Sequence, residues 1–96
     1  MSAAAVAVEP LKLNLGCGKS SVPGYVGVDK IRTETTDLVL DLERYPWPWA
    51  NSSVSDAVLI HVLEHISDPI PFMNELWRIM QPGGHVIVVG PHAQSD

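Results

Sequence analysis

Three groups of side chains in this sequence have the types and spacing for chemistry. Gly16-Cys17-Gly18 puts two glycines where the backbone can pass against a ligand with no Cβ in the way. Asp29 follows with a carboxylate able to accept two hydroxyl hydrogen bonds from a sugar. His61 and His65 bracket Glu64, a set that can move protons or, if both histidines fell on one helical face with a further carboxylate ligand elsewhere, hold zinc. Tyr45, Trp47 and Trp49 alternate with Pro46 and Pro48. That stiff run is either an aromatic platform for a base or a partner, or a patch of rings closing the bottom of a thin core.

The elements that must position these groups follow from periodicity and turn chemistry. Leu11, Leu13 and Leu15 alternate with Lys12 and Asn14 and stop at Gly16, the pattern of a strand delivered into a tight turn. Pro23-Gly24 fits the centre of a type II turn, so a second strand runs from Tyr25 to Asp29. Asp37 to Leu42 reads as a third strand, and Ser55 to Leu63 as a fourth. The fourth is apolar on both faces around Ala57 to Ile60, as in buried parallel sheets. Asp68 is a helix cap and Pro69 suits the first helical position, so a helix is predicted from there to about Met80. Its stripe of Ile70, Met73, Leu76, Trp77 and Met80 is expected to face the sheet, with Glu75 and Arg78 together toward solvent. Gln81-Pro82-Gly83-Gly84 stops the helix, and His85 to Val89 makes a fifth, β-branched strand.

Composition narrows the partners. The chain has 96 residues, enough for one domain with a thin core. A formal charge of −5 repels phosphate backbones and anionic lipid, so neither nucleic acid nor a membrane surface is an expected partner. Cys17 is the single cysteine, which excludes an internal disulfide and fits a reducing, cytoplasmic setting. Residues 1–10 read as a disordered lead-in to a domain spanning 11–96, and no later apolar run has the length of a membrane helix.

A dinucleotide site needs a helix opening after its glycine turn to hold the pyrophosphate, and an acid about 20 residues further on. Here only Lys19 to Gly24 separate the turn from the next strand, and Asp29 arrives too early. A nucleoside without phosphates needs what is present and nothing that is absent. S-adenosylmethionine is such a ligand.

The sequence resembles the class I S-adenosylmethionine-dependent methyltransferases, of the methyltransferase domain 11 type. LNLGCG is similar to their first glycine motif, GYVGVD to the acidic second strand, and DLVLDLERYPWPWANSSVSDAV to the third strand, loop and fourth strand. HVLEHISDP, ELWRIMQPGG and HVIVV match their segment after the fourth strand, helix, turn and fifth strand, so the likeness covers Leu11 to about His92. It implies a Rossmann-like, mostly parallel α/β sheet with helices, a class I methyltransferase core truncated after the fifth strand. It also implies that Gly16 and Gly18 approach the methionine part of the cofactor, with Cys17 between them packed and unreactive. Asp29 would bind the ribose, Lys30 and Ile31 would flank the adenine, and Asp41 and Leu42 would meet its edge. His61 would sit at the mouth, the first candidate to deprotonate an acceptor.

No metal is expected, because His61 to His65 end a buried strand and Pro69 starts a helix soon after, which keeps the two histidines off one helical face. Such methyltransferases normally continue past the fifth strand with elements that shape the acceptor pocket. With one confident helix for a sheet that needs two covered faces, a homodimer burying the bare face or the fifth-strand edge is expected. Two functions therefore compete: an S-adenosylmethionine-dependent methyltransferase or its cofactor-binding portion, and an inactive truncated domain that self-associates or serves as an interaction module.

Overall fold

The structure is a computed structural model that describes residues 10–90. The expected lead-in falls outside the described residues, apart from Pro10. The strands are β1 (Leu11–Leu15), β2 (Val26–Asp29), β3 (Leu38–Val39), β4 (Val54–Ile60) and β5 (Met80–Val89), with α1 (Pro69–Ile79) between the last two. They form one sheet in the order β3-β2-β1-β4-β5, and every neighbouring pair is parallel. This is the Rossmann-like α/β arrangement expected, with β1 central between β2 and β4.

Alternation explains β1. Leu13 and Leu15 are wholly buried on the α1 side, while Asn14, also buried, donates from Nδ2 to the Ser20 carbonyl at 3.2 Å and draws the following loop over the sheet. The turn at Pro23-Gly24 closes with the Tyr25 N–H on the Val22 carbonyl at 3.0 Å. β4 is buried along most of its length, at Val54, Ala57, Val58 and Leu59, because β1 and β5 flank it on both sides.

Several elements depart from expectation for identifiable reasons. β4 stops at Ile60 rather than Leu63, since His61 takes φ 55° and turns the chain into a short 3-10 turn, Leu63–His65. β3 is shortened from Asp37–Leu42 to Leu38–Val39. Asp37 spends its carboxylate on the Gly27 N–H at 2.8 Å, and Asp41 starts a turn that closes with the Arg44 N–H on its carbonyl at 3.0 Å. The fifth strand pairs earlier than expected: Met80 meets Val54 and His85 meets Asp56, so Gln81 to Gly84 bulge out of the ladder.

The helix is where expected but rotated. The Asp68 carboxylate caps the Ile70 N–H at 3.1 Å and Pro69 opens the first turn. The face toward the sheet, however, carries Phe72, Leu76 and Ile79, while Ile70, Met73 and Trp77 are exposed, Trp77 by 85%. Trp47 sets this rotation. Buried under α1, it stacks edge-on against Phe72 with ring centroids 5.0 Å apart. Glu75 and Arg78 hold the same segment instead of facing solvent. Arg78 donates to the Trp47 carbonyl at 3.0 Å and the Trp49 carbonyl at 2.8 Å, and Glu75 accepts the Trp47 N–H at 2.8 Å. Trp47 is thus core, and its segment is latched to α1 by these hydrogen bonds from Arg78 and to Glu75, two side chains that are themselves paired at 2.8 Å within the helix.

Among the described residues no helix is long and apolar enough to cross a membrane. The β5 edge is bare, with Val86, Ile87, Val88 and Val89 each 40–53% exposed.

Candidate cofactor site

The glycine turn is assembled from hydrogen bonds that converge on the tip of β2. The N–H groups of Gly16 and Cys17 share the Val28 carbonyl at 2.7 and 3.0 Å, which folds the turn back over that strand. Asp29 then accepts the Gly18 N–H on Oδ2 at 2.7 Å and the Ile31 N–H on Oδ1 at 3.2 Å. The Gly18 carbonyl is gripped from the other side by the hydroxyls of Thr33 and Thr35, each donating at 2.7 Å. Thr36 ties this loop together, accepting the Thr33 N–H at 3.1 Å and donating to the Ile31 carbonyl at 2.9 Å. The turn is therefore held before any ligand arrives, which spares a ligand the entropy of ordering it.

Sterics explain both glycines. Gly16 has φ 72°, and a Cβ there would lie 2.7 Å from Val62 Cγ2, so the strand tip and the segment after β4 close up only because it has no side chain. Gly18 has φ 54°, and a Cβ there would meet nothing within 4 Å. Its free side faces open space.

Above these tips lies a crevice of about 210 Å³. Gly16, Asp29, Lys30, Asp41, Leu42 and His61 line it together, so the structure unites most of the residues singled out from the sequence. Three others stand outside its walls. Cys17 is buried with its Sγ under Thr35 and Thr36; Gly18 is the anchor just described; Ile31 is 61% exposed and contributes its N–H to Asp29. Leu40, Glu43, Val62, His65 and Ile66 complete the lining, and none of these was expected. Glu43 also closes the rim, accepting the Ser67 N–H at 3.0 Å across the gap between the β3 and β4 loops. The threonine grip was missed as well, although three hydroxyls in Thr33-Glu34-Thr35-Thr36 are a recognisable signal for side-chain-to-backbone turns.

The walls are acidic. Asp29, Asp41 and Glu43 face the crevice against the single ammonium of Lys30. Nearby, the Tyr45 phenol is pushed above its usual range by burial first, then by Glu43, Asp68, Asp41 and Glu75. Residues 19–25 form turns and irregular chain rather than a helix, so the glycine turn does not open on a helix N-terminus that could hold a phosphate. A cation bearing hydroxyls fits this donor set better than a polyanion.

His61 reaches the crevice because of its bend, and its N–H is fixed on the Val89 carbonyl at 2.7 Å. Its Nδ1 lies 3.6 Å from Glu64 Oε2, and His65 Nε2 lies 3.9 Å from the same oxygen. Among the described residues no group of three His, Cys, Asp or Glu side chains is arranged to hold a metal ion.

A larger cavity of about 720 Å³ lies between α1 and β5, walled by Met73, Trp77, Met80, Pro82 and Val86. Size does not make it the site. Its walls are mostly apolar, with Asn51, Ser52, Arg78 and Gln81 among them, and it abuts the amino-terminal stretch of β5, whereas parallel sheets bind ligands beyond the carboxyl ends of their strands, where the smaller crevice lies.

Strand order and all-parallel pairing define a Rossmann-like core, with the crevice at the carboxyl ends of its strands. Residues 13–88 match the family model described as "Methyltransferase domain", and the chain belongs to that family. No curated protein and no solved structure matches it.

Proposed function

We propose that the chain binds S-adenosylmethionine in the crevice at the strand tips and presents its methyl group to an acceptor molecule. The observation that carries this reading is the pairing of a preorganised Gly16–Gly18 turn with an acidic wall. Asp29 is bonded to the turn and Asp41 and Glu43 stand beside it, and the turn opens on irregular chain rather than on a helix that could hold a phosphate. The cofactor supplies a methyl group already made electrophilic by its sulfonium, so the protein needs neither a nucleophile nor a metal.

The chain's own residues bind, orient and shield. Asp29 keeps lone pairs on both oxygens after accepting the Gly18 and Ile31 amides, and those receive the ribose hydroxyls. Lys30 and Ile31 border the adenine, and Asp41 and Leu42 meet its edge. Gly16 and Gly18 let the backbone approach the methionine end, with Cys17 turned away beneath them. His61, at the mouth, is the group that holds an acceptor's proton.

A second copy is the proposed cover for the β5 side. Val86 to Val89 and the exposed Ile70, Met73 and Trp77 carry no charge in a chain of formal charge −5, so two copies meet there with least repulsion. Light scattering at micromolar concentration is expected to give a dimeric mass; a monomeric mass rejects this arrangement. A reducing, cytoplasmic setting completes the reading, consistent with Cys17 as a buried free thiol.

Isothermal titration with S-adenosylmethionine and S-adenosylhomocysteine tests the function. One-site binding is expected, weakened in Asp29→Ala by about 10- to 150-fold, the equivalent of one charge-assisted hydrogen bond of about 1.5–3 kcal/mol. Absence of heat with either ligand, from a sample folded by circular dichroism, leaves the inactive interaction module as the better description.

A further inference from the structure

The proposed function gives His61 a role but leaves its neighbours Glu64 and His65 without one, although both stand within 4 Å of one another beside it at the crevice mouth. We propose that Glu64 is a positioning residue that keeps the His61 imidazole in its Nδ1–H form, leaving Nε2 as a hydrogen-bond acceptor at the crevice mouth. The proposal rests on the methyl-transfer reading of the site, which is what gives a base at the mouth a proton to hold. It extends that reading to acceptors that must lose a proton from oxygen, nitrogen or sulfur.

The geometry supplies three supports. His61 sits in the left-handed region at φ 55°, and its backbone N–H is committed to the Val89 carbonyl, so the residue is held in a bend that carries its ring to the crevice. His61 is one of the crevice walls and Glu64 is not, and the imidazole nitrogen nearest Glu64 Oε2, at 3.6 Å, is Nδ1, so a bond from Glu64 engages Nδ1 and leaves Nε2 uncommitted. That separation is longer than a formed hydrogen bond, and a small χ rotation closes it, as is common before a site is loaded.

The third support is availability. Asp29 and Glu43 each already accept backbone amides, whereas the Glu64 carboxylate has no formed hydrogen bond among the described residues. His65 Nε2 approaches the same Glu64 oxygen at 3.9 Å, so the carboxylate is flanked by both rings, and only the His61 ring lies at the bent strand tip. The tautomer of an imidazole is set by what its other nitrogen bonds, and a carboxylate on Nδ1 selects Nδ1–H; an imidazole facing only water favours Nε2–H.

Long-range proton–nitrogen NMR of the cofactor-free chain in mildly alkaline buffer reads the tautomer directly. The wild type is expected to show His61 as Nδ1–H, and Glu64→Ala to revert it to Nε2–H. An Nε2–H form in the wild type, or an Nδ1–H form that survives Glu64→Ala, overturns the proposal. Should the variant fail to fold, the wild-type spectrum decides alone: Nδ1–H supports and Nε2–H refutes. Calorimetry keeps the two readings separate. Glu64→Ala is expected to bind S-adenosylhomocysteine as the wild type does, and a loss of binding would make Glu64 a ligand residue and overturn its positioning role. A wild type that binds no cofactor would sink the site reading and leave the tautomer result standing.

Discussion

Gly16→Ala is the perturbation whose cost the structure resolves into parts. An L-residue at φ 72° pays for the left-handed conformation, about 1–2 kcal/mol. Its Cβ would also lie 2.7 Å from Val62 Cγ2 and 3.3 Å from Cγ1, and Val62 is buried with little room to yield. Overpacking of that kind adds about 1–3 kcal/mol, for a total of about 2–5 kcal/mol. Gly18→Ala separates the parts, because φ is 54° but no atom lies within 4 Å, so only the conformational share of about 1–2 kcal/mol applies. Val62→Ala in the Gly16→Ala background removes the overlap, and the double variant is expected to be more stable than additivity allows by about 0.5–3 kcal/mol. Urea unfolding followed by tryptophan fluorescence gives each value by linear extrapolation. Equal losses at Gly16 and Gly18, together with additivity of Gly16→Ala and Val62→Ala, would refute the close contact and with it the shape of the crevice floor.

Two further outcomes concern the latch between α1 and the Pro-Trp segment. Trp47→Ala empties the site against Phe72 and is expected to cost about 3–5 kcal/mol in urea unfolding, whereas Trp77→Ala, at an 85% exposed position, changes the monomer far less. The Glu75 carboxyl is held below its usual range, chiefly by the Arg78 hydrogen bond and also by the Trp47 N–H, against the opposing effect of burial. Because the folded value lies below the unfolded one, its contribution to stability is full above the ordinary carboxylate range and is lost as pH falls through the folded value. Thermal melts across acidic pH should show that loss in the wild type and a shallower one in Glu75→Gln.

The sequence made the first half of the site readable because its signals are local. Alternating leucines, a glycine turn and an acid at the next strand's end are adjacent in the chain, and they place Gly16 and Asp29 on neighbouring strand tips with little help from the rest of the fold. The cap at Asp68 and Pro69 is local in the same sense. What stayed hidden depends on partners far along the chain. Pro69 to Ile79 carries two apolar stripes at helical spacing, Phe72-Leu76-Ile79 and Ile70-Met73-Trp77, and periodicity cannot rank them. Contact with Trp47 decides. Arg78 likewise looks like a solvent-facing charge until the carbonyls of Trp47 and Trp49, 31 and 29 residues away, are brought beneath it. The end of β4 was misplaced for a different reason. An apolar pattern continues through Val62 and Leu63, and only the positive φ of His61 reveals that the chain has already turned.

The small acidic crevice, and not the larger, mostly apolar cavity beside Trp77, is the proposed seat of the cofactor. Titration of nitrogen-15-labelled chain with S-adenosylhomocysteine, followed amide by amide, tests it most directly. Shifts are expected at Gly16, Gly18, Asp29, Lys30, Asp41 and Val62, with Trp77, Gly83 and Gly84 unmoved. Shifts confined to Trp77, Gly83 and Gly84, or none at any amide, would contradict it.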